Sequence, residues 1–389
     1  MFEITGAFRD KSPYPGLNLF TVLQTLAIAA TMAYFITWLW KKKYHPMLVL
    51  TLVGYVGLVS LYPFYGISLW KDTPFSLAVF WYSFFLYRLA IKDKEELSAG
   101  ELIRLGVLSL LVIFLRNNGL YICIFSSLVI LLASIGKKKH LLKLTSVLLI
   151  VLVGSILIQG PYYRYKGYNY DSKRESYGIP LQQVAYMVAM EGNVLPEDVE
   201  VLSQILPMER WVELYNPTVA DSIKFAEDFN LEYFENNSEA FRKTYLNMVK
   251  NNKMMAVKAY LLATIGFWNI KEESGVAYIC NFHFGNAEYF MSDYFDYYFD
   301  ISFQRMVEPD HYMSCAIPFW ILLFVMAACL QEKKYRQLMV LAPTLGVWIT
   351  IMVATPIGYS FRYIYSLFLC FPLYFLILEG LFAPKESID

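Results

Sequence analysis

Nine runs of apolar residues, each nearly free of charge, constrain this chain more than any other feature. They are Leu17–Trp40, Pro46–Tyr65, Thr73–Ile91, Leu102–Leu115, Leu120–Ile135, Leu141–Gln159, Ile317–Leu330, Leu338–Pro356 and Tyr363–Leu381. A helix of ~20 apolar residues crosses the ~30 Å hydrocarbon core of a bilayer. Helices there satisfy their own backbone groups, which open strands cannot. The pattern therefore predicts an all-α polytopic membrane protein with about nine transmembrane helices. Only 17% of the 389 residues are charged, against about 25% in soluble domains. Two runs are short: Leu102–Leu115 and Leu120–Ile135 flank Arg116-Asn117-Asn118-Gly119. They read as a helical hairpin, spanning or re-entrant, with both ends on one side.

Basic residues set the orientation, since Lys and Arg collect on the cytoplasmic side. One set of loop ends carries Lys41, Lys42, Lys43, Arg88, Lys92, Lys94, Arg104, Lys137, Lys138, Lys139, Lys143, Lys333, Lys334, Arg336 and Lys385. The opposite short ends carry only Arg9, Lys11, Lys71, Arg116 and Arg362. This predicts a multi-pass topology with the N-terminus outside and the C-terminus cytoplasmic. Leu17–Trp40 is too long for a signal peptide and reads as an uncleaved span.

The composition breaks once. Residues 1–159 form a membrane region with about six apolar segments, and 312–389 form another with three. Between them, 160–311 is an external insert with 13 Lys+Arg and 22 Asp+Glu. Its signals are helical. Pro196-Glu197-Asp198 opens a periodic run with an acidic first turn. Asp221 is placed to cap a helix over Ser222–Phe229, and Ser238 leads into one through Lys250. Met254–Trp268 is apolar, but if it crossed it would move Lys333-Lys334-Tyr335-Arg336 outside. It is expected to be a non-spanning, interfacial helix.

Several functions are excluded. Zero net charge leaves no nucleic-acid footprint. The five cysteines make no CxxC, and His45, His140, His283 and His311 are dispersed without metal-ligand spacing. Cys123, Cys329 and Cys370 fall within spans, where they read as packing residues. There is no phosphate-binding P-loop. The sequence demands no cofactor and leaves a divalent metal open.

Four groups can carry chemistry. Lys71-Asp72 sits at a corner after Pro63 and Gly66; it is either a solvated helix start or a lysine and carboxylate facing a lipid phosphate. Arg116-Asn117-Asn118-Gly119 places a charge at a hairpin tip, where a guanidinium fork suits phosphate and glycine permits the turn. Arg362-Tyr363, after Pro356-Ile357-Gly358, is a snorkelling arginine with an interfacial tyrosine or a second phosphate ligand. Asp293, Asp296 and Asp300 share one helical face among aromatic residues. They suit a sugar or acceptor, or a helix lying on the membrane.

Taken in order, these motifs resemble an uncharacterised polytopic family of Gram-positive bacteria. The match runs through Lys71-Asp72-Thr73-Pro74-Phe75-Ser76, Arg116-Asn117-Asn118-Gly119-Leu120-Tyr121 and Ile179-Pro180-Leu181-Gln182-Gln183-Val184-Ala185. It continues through Tyr215-Asn216-Pro217, Asp221-Ser222-Ile223-Lys224, Gly266-Phe267-Trp268 and Phe361-Arg362-Tyr363. That family is similar to the GT-C superfamily of membrane glycosyltransferases. The resemblance implies a polyprenyl-phosphate-linked sugar donor, membrane lipids as surroundings, and a catalytic carboxylate on a loop after a first helix. The N-out start departs from that pattern, since it is what remains if the first helix and most of its acidic loop are missing. Glu3 and Asp10 are the only acids before the first span. A missing N-terminal fragment is thus an expected partner, and activity of this chain alone is in question.

The expected function is transfer of a sugar from a polyprenyl-phosphate donor to an external acceptor. Lys71, Arg116, Asn117, Asn118, Arg362 and Tyr363 would bind the lipid phosphate, with Asp72 as the one candidate base. Arg116→Ala is expected to remove donor binding without unfolding the chain. Two other readings stand beside it. One is a non-catalytic remnant or split-enzyme partner. The other is a lipid-linked glycan transporter or polymerase, against which the lack of internal repeats speaks.

Overall fold

The computed structural model describes residues 14–59, 61–91, 97–135, 138–167, 173–270, 276–277, 313–354 and 357–382. Among the described residues each of the nine apolar runs is mainly helical, and the fold is all-α. The only strands among the described residues are a two-residue antiparallel pair, Val276–Ala277 with Met313–Ser314. The first membrane region holds α1 (Tyr14–Lys41), α2 (Pro46–Leu58), α3 (Leu61–Ile67), α4 (Asp72–Ile91), α5 (Ala99–Leu115), α6 (Gly119–Ala133) and α7 (Lys138–Leu157). The insert holds α8 (Gly178–Ala189), α9 (Pro196–Ile205), α10 (Met208–Glu213), α11 (Asp221–Lys224), α12 (Leu231–Asn236), α13 (Ser238–Asn251) and α14 (Lys253–Thr264). The last region holds α15 (Ile317–Gln331), α16 (Tyr335–Ala354), α17 (Phe361–Leu369) and α18 (Phe371–Phe382).

Among the described residues five segments are long and apolar enough to cross a membrane: Gly16–Lys41, Asp72–Ile91, Leu142–Tyr165, Tyr335–Ala354 and Phe361–Leu381. A sixth is counted if α2 and α3, bent by 49° to each other, are one span. The chain is a multi-pass helical membrane protein, but nine crossings are not what these lengths provide. α6 and α15 have 15 residues each. At ~1.5 Å per residue that is about 22 Å, short of the ~30 Å core. Apolarity alone does not report where a helix stops. α5 ends because Arg116 adopts extended backbone, φ −151° and ψ 144°.

Local chemistry explains several helix starts. Ser98 and Glu101 form a reciprocal capping box at the head of α5, with Glu101 N donating to Ser98 Oγ (3.3 Å) and Ser98 N to Glu101 Oε2 (3.0 Å). Pro196 occupies the first turn of α9, where its missing N–H costs nothing. α13 begins at Ser238, as the sequence predicts. The helix expected over Ser222–Phe229 is instead the four-residue α11, with Asp221 as its first residue and no side-chain cap. It ends where Phe225 leaves helical backbone, φ −109° and ψ 19°; Lys224, its last residue, is buried and pairs with Glu175 and Asp221.

The buried apolar side chains form two clusters. One lies among the membrane-region helices and includes Phe35, Phe80, Tyr82, Val112, Ile122 and Phe368. The other belongs to the insert and includes Leu181, Val184, Leu202, Trp211, Phe234 and Phe241. α14, at 12 residues, is too short to span and hydrogen-bonds to the membrane helices: Tyr260 Oη donates to Met352 O (3.1 Å). The turn beyond it is held by two indoles, with Trp320 Nε1 donating to Trp268 O (2.8 Å) and Trp348 Nε1 to Phe267 O (3.2 Å).

Asp198 of α9 is buried, 1% exposed, with Oδ2 left without a hydrogen-bond partner. Burial raises its carboxyl above the ordinary value, against the smaller, lowering influence of Asn247 and Thr244. A raised folded-state value means that protonation stabilises the fold at low pH. That stabilisation is lost as pH rises through the folded-state value. Asp198→Asn should therefore raise the thermal midpoint of the purified chain at pH 7.5, with the gap closing toward pH 4. A lower midpoint at both pH values would sink this reading.

Candidate functional site

The site is built on a corner that the first span ties down. Gln24 is buried within α1, and its Nε2 donates to the carbonyls of Tyr65 (2.8 Å), Gly66 (3.0 Å) and Ser68 (2.6 Å). Those carbonyls are the open C-terminal end of α3, which a helix must satisfy by outside donors. Thr73 Oγ1 adds a bond to Tyr65 O (3.0 Å). Gly66 lies against Thr25, whose Oγ1 would be 2.8 Å from an added Cβ. Trp70 and Asp72 are thereby held in place at the head of α4.

Three sequence-distant motifs meet at this corner. Arg116 Nη1 lies 2.8 Å from Asp72 Oδ1, with side chains 13% and 7% exposed. The Arg116 guanidinium also sits between two rings, 5.6 Å from the centroid of Phe75 and 5.0 Å from that of Tyr363. Arg362 shares the Tyr363 ring at 4.8 Å and covers Trp70 at 5.7 Å. Its Nη2 donates to Tyr363 Oη (2.8 Å). Its Nε is buried with no hydrogen-bond partner. Burial pulls the Arg116 guanidinium below its ordinary value, and the Asp72 carboxylate offsets part of that.

The other expected ligands are less central. Lys71 is exposed and forms no ion pair with a described residue. Asn117 is exposed. Asn118 precedes α6 without capping it; its Nδ2 reaches Thr350 Oγ1 on α16 (2.7 Å) and ties the hairpin tip to that helix. Asp293, Asp296 and Asp300 lie outside the described residues, as do Glu3 and Asp10. Among the described residues no three His, Cys, Asp or Glu side chains gather as a metal site requires. With Asp72 occupied by Arg116, the corner does not fit a resident divalent metal.

The insert closes the corner from the other side. Gly358 N donates to Thr218 O (2.7 Å), and Val219 pairs with Ile357 as an antiparallel bridge. A Cβ at Gly358 would stand 2.3 Å from Ala263 O at the end of α14. This seam runs directly into α17, which carries Arg362 and Tyr363. Sequence reasoning did not single out Gln24, Trp70 or Thr350. A glutamine inside the first apolar run is the one visible signal among them.

The geometry defines a multi-pass membrane protein with a cationic, aromatic-lined corner where its insert meets the helix bundle. The chain belongs to a family of unknown function, DUF6020, whose model matches residues 4–383. No curated protein and no solved structure matches it.

Proposed function

We propose that this corner binds the phosphate of a polyprenyl-phosphate-linked sugar and that the chain is a GT-C-like membrane glycosyltransferase. The observation that carries this reading is the convergence of Arg116 and Arg362 on one tyrosine ring. Two guanidiniums at such range repel each other. Among the described residues only Arg116 has a carboxylate within ion-pair distance. The two guanidiniums thus share the single ion-paired carboxylate of Asp72 among the described residues, so the cluster is cationic and suits an anion. Arginine forks present paired N–H donors to phosphate, and the unpartnered Nε of Arg362 adds one more.

In this reading the two arginines stabilise charge on the leaving phosphate as the glycosidic bond breaks. Lys71 is exposed beside them and meets the headgroup from outside. Asp72 positions Arg116 and is not free to act as a base. The topology is N-out and C-in with nine apolar segments, α5 and α6 forming a hairpin whose tip is Arg116. The membrane is a bacterial cell membrane.

Arg362→Gln tests the reading because it orphans no ion-paired carboxylate. A charge-assisted hydrogen bond contributes about 1.5–3 kcal/mol. Affinity for polyprenyl monophosphate in zwitterionic vesicles should thus fall about 10- to 100-fold. Unchanged affinity would refute the site. Accumulation of sugar-lipid across the vesicle membrane with no transfer would favour a transporter instead.

A further inference from the structure

We infer that Asp221 is the carboxylate that faces the acceptor hydroxyl at this corner, an inference that rests on the phosphate-site reading above. Asp72 cannot take that part. Its carboxylate is 7% exposed and lies 2.8 Å from Arg116, so accepting a proton would first require breaking a buried ion pair.

Asp221 is differently placed. It opens α11, two residues beyond Val219, which pairs with Ile357. The Thr218–Gly358 bond holds the same loop against the chain entering α17. Its carboxylate is near enough to Arg362 and Tyr363 to act on both electrostatically. Its side chain is 30% exposed, so a ligand can reach it.

Its orientation is set from behind. Lys224 Nζ lies 3.2 Å from Asp221 Oδ1 and 2.6 Å from Glu175 Oε2, and the Lys224 side chain is 1% exposed. A lysine buried this deeply is held in one geometry and aims the carboxylate. Two carboxylates share one ammonium, so this triad retains one negative charge. Asp221 belongs to the loop that the Thr218–Gly358 bond ties to the chain entering α17, the helix that carries Arg362. A phosphate on the arginine side and a hydroxyl on the carboxylate side complement that arrangement.

The step balances as follows. The acceptor O–H bond breaks and its proton passes to Asp221. The acceptor oxygen bonds the anomeric carbon. The bond from that carbon to the phosphate oxygen breaks, and its electron pair leaves with the phosphate held by Arg116 and Arg362. A positioned base of this kind is worth roughly 10²–10⁴-fold.

The test uses the full chain in vesicles with radiolabelled polyprenyl-phosphate-linked hexose as donor probe. Release of polyprenyl phosphate is followed, which registers transfer to any hydroxyl, water included. Asp221→Asn should bind the donor within about threefold of the parent, with release reduced about 100-fold or more. Glu175→Gln removes the other partner of Lys224 and should lower release by far less than Asp221→Asn, since it loosens the aim of the Asp221 carboxylate and leaves that carboxylate in place. Equal losses in both variants would mean that the triad only holds the loop, and unchanged release in Asp221→Asn would overturn the assignment outright. A parent chain that binds donor but never releases polyprenyl phosphate also overturns it, while leaving the phosphate site standing. Donor binding indifferent to Arg362→Gln is the separate result that removes the phosphate site itself.

Discussion

Gly119→Ala should leave little correctly folded protein in a detergent extract. A Cβ at Gly119 would lie 2.0 Å from Val112 O, 2.7 Å from Val112 C and 2.9 Å from Ile113 Cα. All three are backbone atoms of α5, so no rotamer change relieves the clash. The hairpin must open. α5 and α6 would then separate at the point where Asn118 reaches Thr350 and where Ile122 and Phe125 pack on Gly346. Extra methylenes in a packed core cost about 1–3 kcal/mol when side chains can yield; a backbone clash exceeds that range. Gly54→Ala is the control. Nothing lies within 4 Å of its added Cβ, and replacing a helical glycine with alanine gains about 0.5–1 kcal/mol. The measurement is the monodisperse fraction and thermal midpoint of each variant. A Gly119→Ala chain that melts with the parent would refute the tight-turn account.

The apolar runs told where helices lie, although Pro46–Tyr65 and Tyr363–Leu381 are each divided between two helices. They did not tell how many cross, because crossing depends on where each helix ends and bends. Those ends are set by local backbone and tertiary contacts, as at Arg116 and between α2 and α3. In the insert, Pro196 and Ser238 carried their signals in neighbouring residues, so the starts of α9 and α13 were legible. The extent of α11 was not. It ends at Phe225, and its last residue Lys224 pairs with Glu175, a residue far away in sequence.

The site shows the same division. Asp72, Arg116, Arg362 and Tyr363 were each conspicuous as charge or aromatic residues at the ends of apolar runs. Their convergence was invisible, since α4, the α5–α6 hairpin and α17 meet only in three dimensions. Lys71 and Asn117 looked equivalent to their neighbours in sequence. One step along a helix start or turn changes facing by a large angle, and both emerge exposed. Asn118, expected among the phosphate ligands, donates its amide to Thr350 on α16.

Arg116→Ala is expected to destabilise the fold as well as empty the site. The sequence alone suggested a tip arginine removable without structural cost, but the Asp72 carboxylate behind it is nearly buried. Removing one partner of a buried ion pair strands the other charge, at a cost of about 3–5 kcal/mol. Asp72→Asn strands Arg116 in turn, although that guanidinium still lies over Phe75 and Tyr363. The Arg116→Ala/Asp72→Asn double variant leaves no orphaned charge and should recover most of the lost stability. The cycle thus gives a coupling energy well above the ~0.5 kcal/mol that marks independent sites. Donor binding separates the two roles of Arg116. If it only secures the fold, the double variant regains phosphate affinity along with stability. If it also contacts phosphate, stability returns while affinity stays low. That second pattern is the expected one, because Asn at 72 and Ala at 116 leave Arg362 as the sole guanidinium on the Tyr363 ring. Additive stability losses across the cycle would mean that the Asp72–Arg116 pair does not exist in the folded protein.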